Sequence, residues 1–300
     1  MSIDTDPNLL TLSGHAQTPK GIVDALKNPS GSRYYKCAFQ VNPYQYCVDH
    51  AKDSGAENET EYNEKMVQAC KQNGIEVVGI TDHFCVSNSQ SLADKLTENG
   101  IEVFLGFEAN SSDGVHSLCL FPQGTSQTDL SLAIGACDLD DPSDASPISK
   151  KHFLDLVKVI NEKGGISIAA HVTQKSGLLT TLKGKPRAKA WKSSLLNAAA
   201  IPETVAGMPN DLQKIAANKD QAHKRDRPIA LINACDVSNP DDFAKSGAST
   251  LLRMSDVTLE GLKQCFLDHE SRIRLNSDPE LTDHARLVAI SWEGGLLGDQ

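Results

Sequence analysis

Short apolar runs alternate along the chain with amphipathic stretches that close on glycine. "RYYKCAFQV" (Arg33–Val41) reads as a strand. "ETEYNEKMVQACKQNG" then places apolar residues at helical spacing and stops at Gly74, the residue type favoured just past a helix end. "IEVVGI" follows as a strand, and "SQSLADKLTENG" and "IEVFLGF" repeat the helix–glycine–strand unit. Beyond them come "VHSLCLF" (strand), "SKKHFLDLVKVINEKGG" (helix), "ISIAA" (strand), "NDLQKIAANK" (helix) and "IALINA" (strand). "DDFAKSG" (short helix), "STLLRM" (strand) and the amphipathic helix "TLEGLKQCFLD" complete the series. The strands are continuous apolar runs rather than period-two alternations, the mark of parallel strands covered on both faces. About seven such units predict an α/β fold built as a closed or nearly closed β/α barrel, with a doubly wound open sheet as second choice.

Two stretches depart from the alternation. Residues 173–227 carry only weak helix signals, and their first part is basic: Lys175, Lys183, Lys185, Arg187, Lys189 and Lys192 precede the next acidic residue, Glu203. At the end, "ARLVAISWEGGLLGDQ" begins a strand and stops. The reading is therefore a peripheral extension over 1–30, with one short helix at "PKGIVDALKN", a barrel domain over 31–285, and the start of a further domain over 286–300.

Composition narrows the class. With 39% hydrophobic and 23% charged residues, the chain can build an ordinary globular core. A formal charge of −10 argues against non-specific coating of nucleic acid, while leaving room for a local basic patch and for a site that gathers divalent cations. The eight cysteines include no Cys-x-x-Cys pair, so they read as buried thiols of a reducing, cytoplasmic compartment. No apolar run approaches the roughly 20 residues of a membrane helix.

The polar residues fall at the strand ends. Asp82 and His83 follow "EVVGIT", Glu108 follows "IEVFLGF", His171 follows "GGISIAA", Asp236 follows "IALINAC", and His116 opens "HSLCLF". In a β/α architecture such residues converge on one rim. Each alone has a plain structural reading, as a satisfied core histidine or, for Asp82, a helix cap. Carboxylates and imidazoles gathered in one pocket must share charge, and a metal ion is the common way to do so.

"GITDHF", "GFEAN", "HSLCLF" and "GGISIAAH" resemble, in order and spacing, the successive motifs of the PHP (polymerase and histidinol phosphatase) superfamily. The resemblance covers about residues 33–277. It implies a distorted seven-stranded β/α (TIM-like) barrel, up to three metal ions (zinc, manganese or iron) at the C-terminal strand ends, and phosphoester hydrolysis. The flanking "GSRYYKC" and "STLLRMSDVTLEGLKQCFLDHESRIRL" are similar to PHP domains that precede an ABC-type or SMC-like ATPase, which would begin near residue 286. That pairing implies an ATPase domain or subunit as partner and a role in DNA repair or phage defence, and is compatible with an oligomer. The chain departs from the family pattern at three positions: Gln40 and Asn42 stand where paired histidines are expected, and Ser238 where the last histidine is expected.

Carried over position by position, the resemblance implies one well-formed metal site at Glu108, His116 and His171. A second, weak site would be left with Glu108, Asp236 and the amides of Gln40 and Asn42, suited to manganese or magnesium. His83 would stand at a third position with little else, and Asp49 or His50 aligns only loosely with a further ligand. In an active enzyme His83 would protonate the leaving oxygen and Asp236 would hold a second cation. The basic residues Lys175, Lys183, Lys185, Arg187 and Lys189 read either as a solvated loop or as a clamp for a nucleic acid or nucleotide substrate. The rival reading is a PHP fold that has lost catalysis and serves as a regulatory or assembly module of an ATPase system.

Overall fold

A computed structural model describes residues 31–278. The chain order is β1 (Arg33–Val41), α1 (Tyr44–Asp49), α2 (Glu59–Gln72), β2 (Val77–His83), α3 (Gln90–Glu98), β3 (Glu102–Asn110), β4 (His116–Leu120) and α4 (Gln127–Gly135). There follow α5 (Phe153–Glu162), β5 (Ile166–Ala169), α6 (Leu178–Thr181), α7 (Gly184–Trp191), β6 (Leu196–Ile201), α8 (Asn210–Ala216) and β7 (Ala230–Asn233). A 3₁₀ turn (Pro240–Ala244), β8 (Thr250–Met254), α9 (Leu259–Leu267), α10 (His269–Arg272) and β9 (Ile273–Leu275) complete the domain. The expected helix within residues 1–30 and the expected following domain at 286–300 lie outside the described residues.

The sheet has nine strands in the order β7-β6-β5-β4-β3-β2-β1-β8-β9, two more than the seven expected. The strands β1, β2 and β3 run parallel, as do β5, β6 and β7. The expectation of parallel strands fails at β4, which is antiparallel to both β3 and β5, and at β8, which is antiparallel to β1. An apolar run buried on both faces reads the same in either direction, so the pattern could not report the reversals. The strand β6 (Leu196–Ile201) was also unforeseen. Its sequence, "LNAAAI", is mostly alanine and lacks the β-branched residues that mark a strand.

The two faces of the strands build two layers. Cys37 and Phe39 of β1, Val77 of β2, Phe104 of β3, Leu118 and Leu120 of β4 and their counterparts on β5 to β8 form a buried cluster within the curved sheet. The intervening positions, Ala38, Val78 and Ile80 among them, pack outward on Tyr62, Met66 and Cys70 of α2 and Leu92 and Leu96 of α3. Each helix needs its first-turn amides satisfied: Asn58, Ser126 and Thr258 accept from Glu61, Asp129 and Gly261 backbone N–H groups and start α2, α4 and α9.

The segment after β7 draws the sheet toward closure. Asn42 N–H donates to the Val237 carbonyl and Val237 N–H to the Gln40 carbonyl, both at 2.9 Å. Thr250 of β8 exchanges hydrogen bonds with the Asn233 backbone of β7. Leu259, Leu262, Cys265 and Phe266 of α9 join the inner cluster. Since Met254 pairs with Arg33, α9 leaves from the N-terminal end of β1 and covers the end of the barrel opposite the rim where the polar residues gather. Six of the eight cysteines are buried and none is bonded to another, in line with the thiol reading.

Candidate metal centre

Three strands and one turn bring the predicted side chains together. His83, the last residue of β2, is level with Glu108 of β3 in the parallel register. Because β4 runs backwards, its first residue, His116, reaches the same rim, where it pairs with Asn110. His171 lies just past β5 in a turn whose backbone adopts φ +29°, and its carbonyl accepts from Gln174 N–H. Gly177 fits against this turn because a Cβ there would meet the His171 carbonyl oxygen at 2.3 Å. The Ser176 carbonyl accepts from His116 N–H at 2.9 Å, so the turn is tied to β4.

Glu108 is the hub, only 3% exposed. Its Oε1 accepts from His116 Nδ1 at 2.8 Å and from His171 Nε2 at 3.2 Å, and its Oε2 accepts from Gln40 Nε2 at 3.1 Å. His83 Nδ1 stands 3.9 Å from Oε2. Burial alone would raise the Glu108 carboxyl, but the hydrogen bonds from His116 and His171 outweigh it and hold the group well below the usual carboxylate range. Burial lowers His83, with the neighbouring Glu108 acting against it. Asp82, whose carboxylate accepts from His83 N–H at 2.7 Å, is pushed up to about 7, chiefly by burial. It is therefore engaged at the end of β2 and caps no helix.

One atom each from Glu108, His116 and His171 lies within 4.8 Å of the others, close enough to share an ion. This is the one such group of three among the described residues. A carboxylate and two imidazoles suit zinc, manganese or iron, and three protein donors leave a position open. The buried Nδ1 atoms of His83 and His171 have no hydrogen-bond partner, so neither nitrogen is committed to a protein group. The donor set fits a divalent metal.

The remaining expected ligands are placed differently. Asp236 lies past β7 and is held by Asn42 Nδ2 on Oδ1 and by Lys52 Nζ on Oδ2 at 2.5 Å. No sequence pattern drew attention to Lys52, whose partner lies 184 positions away. Its Nζ also donates to Tyr46 Oη at 2.7 Å, and the Tyr46 ring stands 5.6 Å from that of His83. His50 binds the Tyr46 carbonyl and Ser146 Oγ through its two ring nitrogens, and Asp49 accepts from Gln45. Ser238, in the expected histidine's place, is buried and gives its N–H to Asp242. Beside the centre, Asp49, Asp82, His83, residues 142–145 and Pro147 line a cavity of about 270 Å³.

Of the basic residues, Lys175 is exposed on the turn after His171, and Lys183 is exposed just before α7. Lys185 and Lys189 project from α7 along a groove of about 660 Å³ shared with Asp113 and His152. Arg187 is used within the fold, donating to the Leu179 carbonyl at 3.1 Å and to His223 Nε2 at 3.2 Å.

Fold and site together define a β/α-barrel-like protein whose rim carries a candidate metal site. Residues 60–192 match the family model for the PHP domain. Among solved structures it is similar to the lesion-specific endonuclease PfuEndoQ from Pyrococcus furiosus, at 14% identity and a TM-score of 0.56, over 79% of this chain and 56% of that one. A complex of Endonuclease Q with a 27-mer duplex bearing an abasic lesion matches at 14% identity and 0.56, over 81% and 58%. A two-domain protein from Bacteroides vulgatus, containing a predicted PHP-like metal-dependent phosphoesterase, matches at 14% identity and 0.51, over 82% and 66%. At such identities the likeness is one of fold, and this chain spans between about half and two thirds of those proteins' lengths. No curated protein sequence matches the chain. Among the described residues no helix is long and apolar enough to cross a membrane.

Proposed function

We propose that this PHP domain is a metal-dependent phosphoesterase acting on nucleic-acid or nucleotide phosphoesters. The observation that carries the reading is the group Glu108, His116 and His171, three donors within reach of one ion on an open rim. A divalent ion held there supplies Lewis-acid chemistry to a phosphoester and to water. Glu108 fixes the two imidazoles through one oxygen while Gln40 holds the other, so the donors are oriented before an ion arrives. His83, at the same rim with an unpartnered Nδ1, is the proton donor for the leaving oxygen. Asp236 keeps Lys52 in place. The nucleic-acid part of the reading is supported by the exposed Lys175, Lys183, Lys185 and Lys189 and by the fold shared with a lesion-specific endonuclease.

A second reading, a PHP domain without catalysis that regulates a partner, is favoured by Gln40 and Asn42 standing where the resemblance expects histidines. One experiment separates the two. Purified protein is assayed for bound metal and for hydrolysis of bis-p-nitrophenyl phosphate and of single- and double-stranded oligonucleotides with added manganese. The proposal expects about one tightly held ion and turnover that His171→Ala reduces at least ~100-fold. Metal-free protein without turnover would select the regulatory reading, and activity unchanged by His171→Ala would misplace the site.

A further inference from the structure

Both carboxylate oxygens of Asp236 are engaged by N–H donors of the protein. Its Oδ1 accepts from the Asn42 amide N–H and its Oδ2 from Lys52. The Glu108 oxygen turned toward β1 accepts from the Gln40 amide N–H. The amide oxygens, Gln40 Oε1 and Asn42 Oδ1, are buried without a partner, while the amide N–H groups meet the two carboxylates. A divalent ion bridging Glu108 and Asp236 needs lone pairs where this chain presents N–H groups, so with Lys52 in place the residues do not fit a second metal position. The sequence led to a weak hard-cation site built on these same side chains. The structure instead puts an ammonium group there.

Lys52 is built into that position. Its stem leaves the stretch after α1, its Nζ lies 4.5 Å from the centre of the Tyr46 ring, and Tyr46 Oη and Asp236 Oδ2 take two of its three N–H donors. The third has no partner among the described residues. Tyr46 in turn packs its ring against His50 and His83, so the ammonium is anchored to the same aromatic and imidazole stack that borders the Glu108 centre. An ammonium fixed by a carboxylate and a phenol is a compact point charge suited to a phosphoryl oxygen.

We propose that Lys52 is a resident cation in place of a second metal ion, so that the centre takes one divalent ion and Lys52 binds a phosphoryl oxygen beside it. The part concerning phosphate rests on the phosphoesterase reading, whereas the ion count does not. The test is run on the full chain without any turnover assay. Manganese stoichiometry is measured after equilibration and gel filtration, together with the electron paramagnetic resonance signal, in which paired ions are spin-coupled. Wild type and Lys52→Arg are expected to hold one uncoupled ion. Lys52→Met, which keeps the apolar stem, frees Asp236 Oδ2; once the Gln40 and Asn42 amides turn their unpartnered oxygens toward the carboxylates it is expected to hold two ions, the second lost again in Lys52→Met/Asp236→Asn.

Inorganic phosphate is then titrated into the manganese-loaded proteins by calorimetry. Lys52→Met is expected to weaken its binding at least 10-fold, with Lys52→Arg close to wild type. Two coupled ions in wild type, or one ion in a folded Lys52→Met, would overturn the resident-cation role. Equal phosphate affinity in wild type and Lys52→Met would overturn the phosphate role. Should Lys52→Met fail to fold, the wild-type ion count and the phosphate affinity of Lys52→Gln decide between the same outcomes. Absence of phosphoesterase turnover with one bound ion would sink the hydrolase reading and leave the ion count standing.

Discussion

Glu108 shows what a single residue can be made to do by its neighbours. Buried and yet charged, it is kept ionised by the two imidazoles on one oxygen, while an amide holds the other. Its meeting with His116 and His171 was legible in the sequence, because a charged residue at the end of an apolar run has few structural reasons to be there. Lys52 was not legible: its meaning lies wholly in a partner 184 residues away, and a lysine in "DHAKDSG" reads as surface. Gln40 and Asn42 were legible as departures, but only the structure shows that their N–H groups rather than their oxygens meet the carboxylates. Glu108→Gln keeps the shape and removes the charge. It is expected to lower manganese affinity at least ~100-fold, read by competition with a fluorescent chelator, with the fold retained by circular dichroism.

At the scale of elements, the alternation of strand and helix was readable from the glycine stops and apolar runs, and α2, α3, α5, α8 and α9 lie where the pattern put helices, whereas α1, α4, α6, α7 and α10 were not foreseen. The directions of β4 and β8 were not, because burial on both faces leaves no trace of orientation. Gly106 records the reversal of β4. It sits in the middle of β3, and a Cβ there would lie 1.9 Å from the Cys119 carbonyl oxygen on the antiparallel neighbour. Gly106→Ala must therefore push β3 and β4 apart, and a loss of about 3 kcal/mol or more is expected in denaturant unfolding. Gly135, at the end of α4, meets nothing within 4 Å, and Gly135→Ala is the control, expected to be neutral or stabilising by roughly 0.5 kcal/mol.

For the molecule as a whole, the fold class was readable but the strand number was not, since "LNAAAI" does not announce a strand and β9 is only three residues long. The net charge of −10 makes any affinity for nucleic acid a matter of local patches. Lys185 and Lys189 lie exposed along one groove, whereas Arg187 is spent on internal hydrogen bonds. Reversing the two lysines to glutamate is expected to weaken single-stranded oligonucleotide binding and to lower the slope of log affinity against log salt by about 1–2, measured by fluorescence anisotropy. An unchanged slope would return α7 to plain surface. The reversed β4 also has a bearing on how the protein is made. Glu108 and His116 lie 8 residues apart on one hairpin, whereas His171 follows Glu108 by 63. A ribosome therefore releases two of the three candidate metal ligands almost together and the third only after another stretch of synthesis. Two of the three candidate ligands are thus present in the nascent polypeptide before the barrel has strands enough to curl.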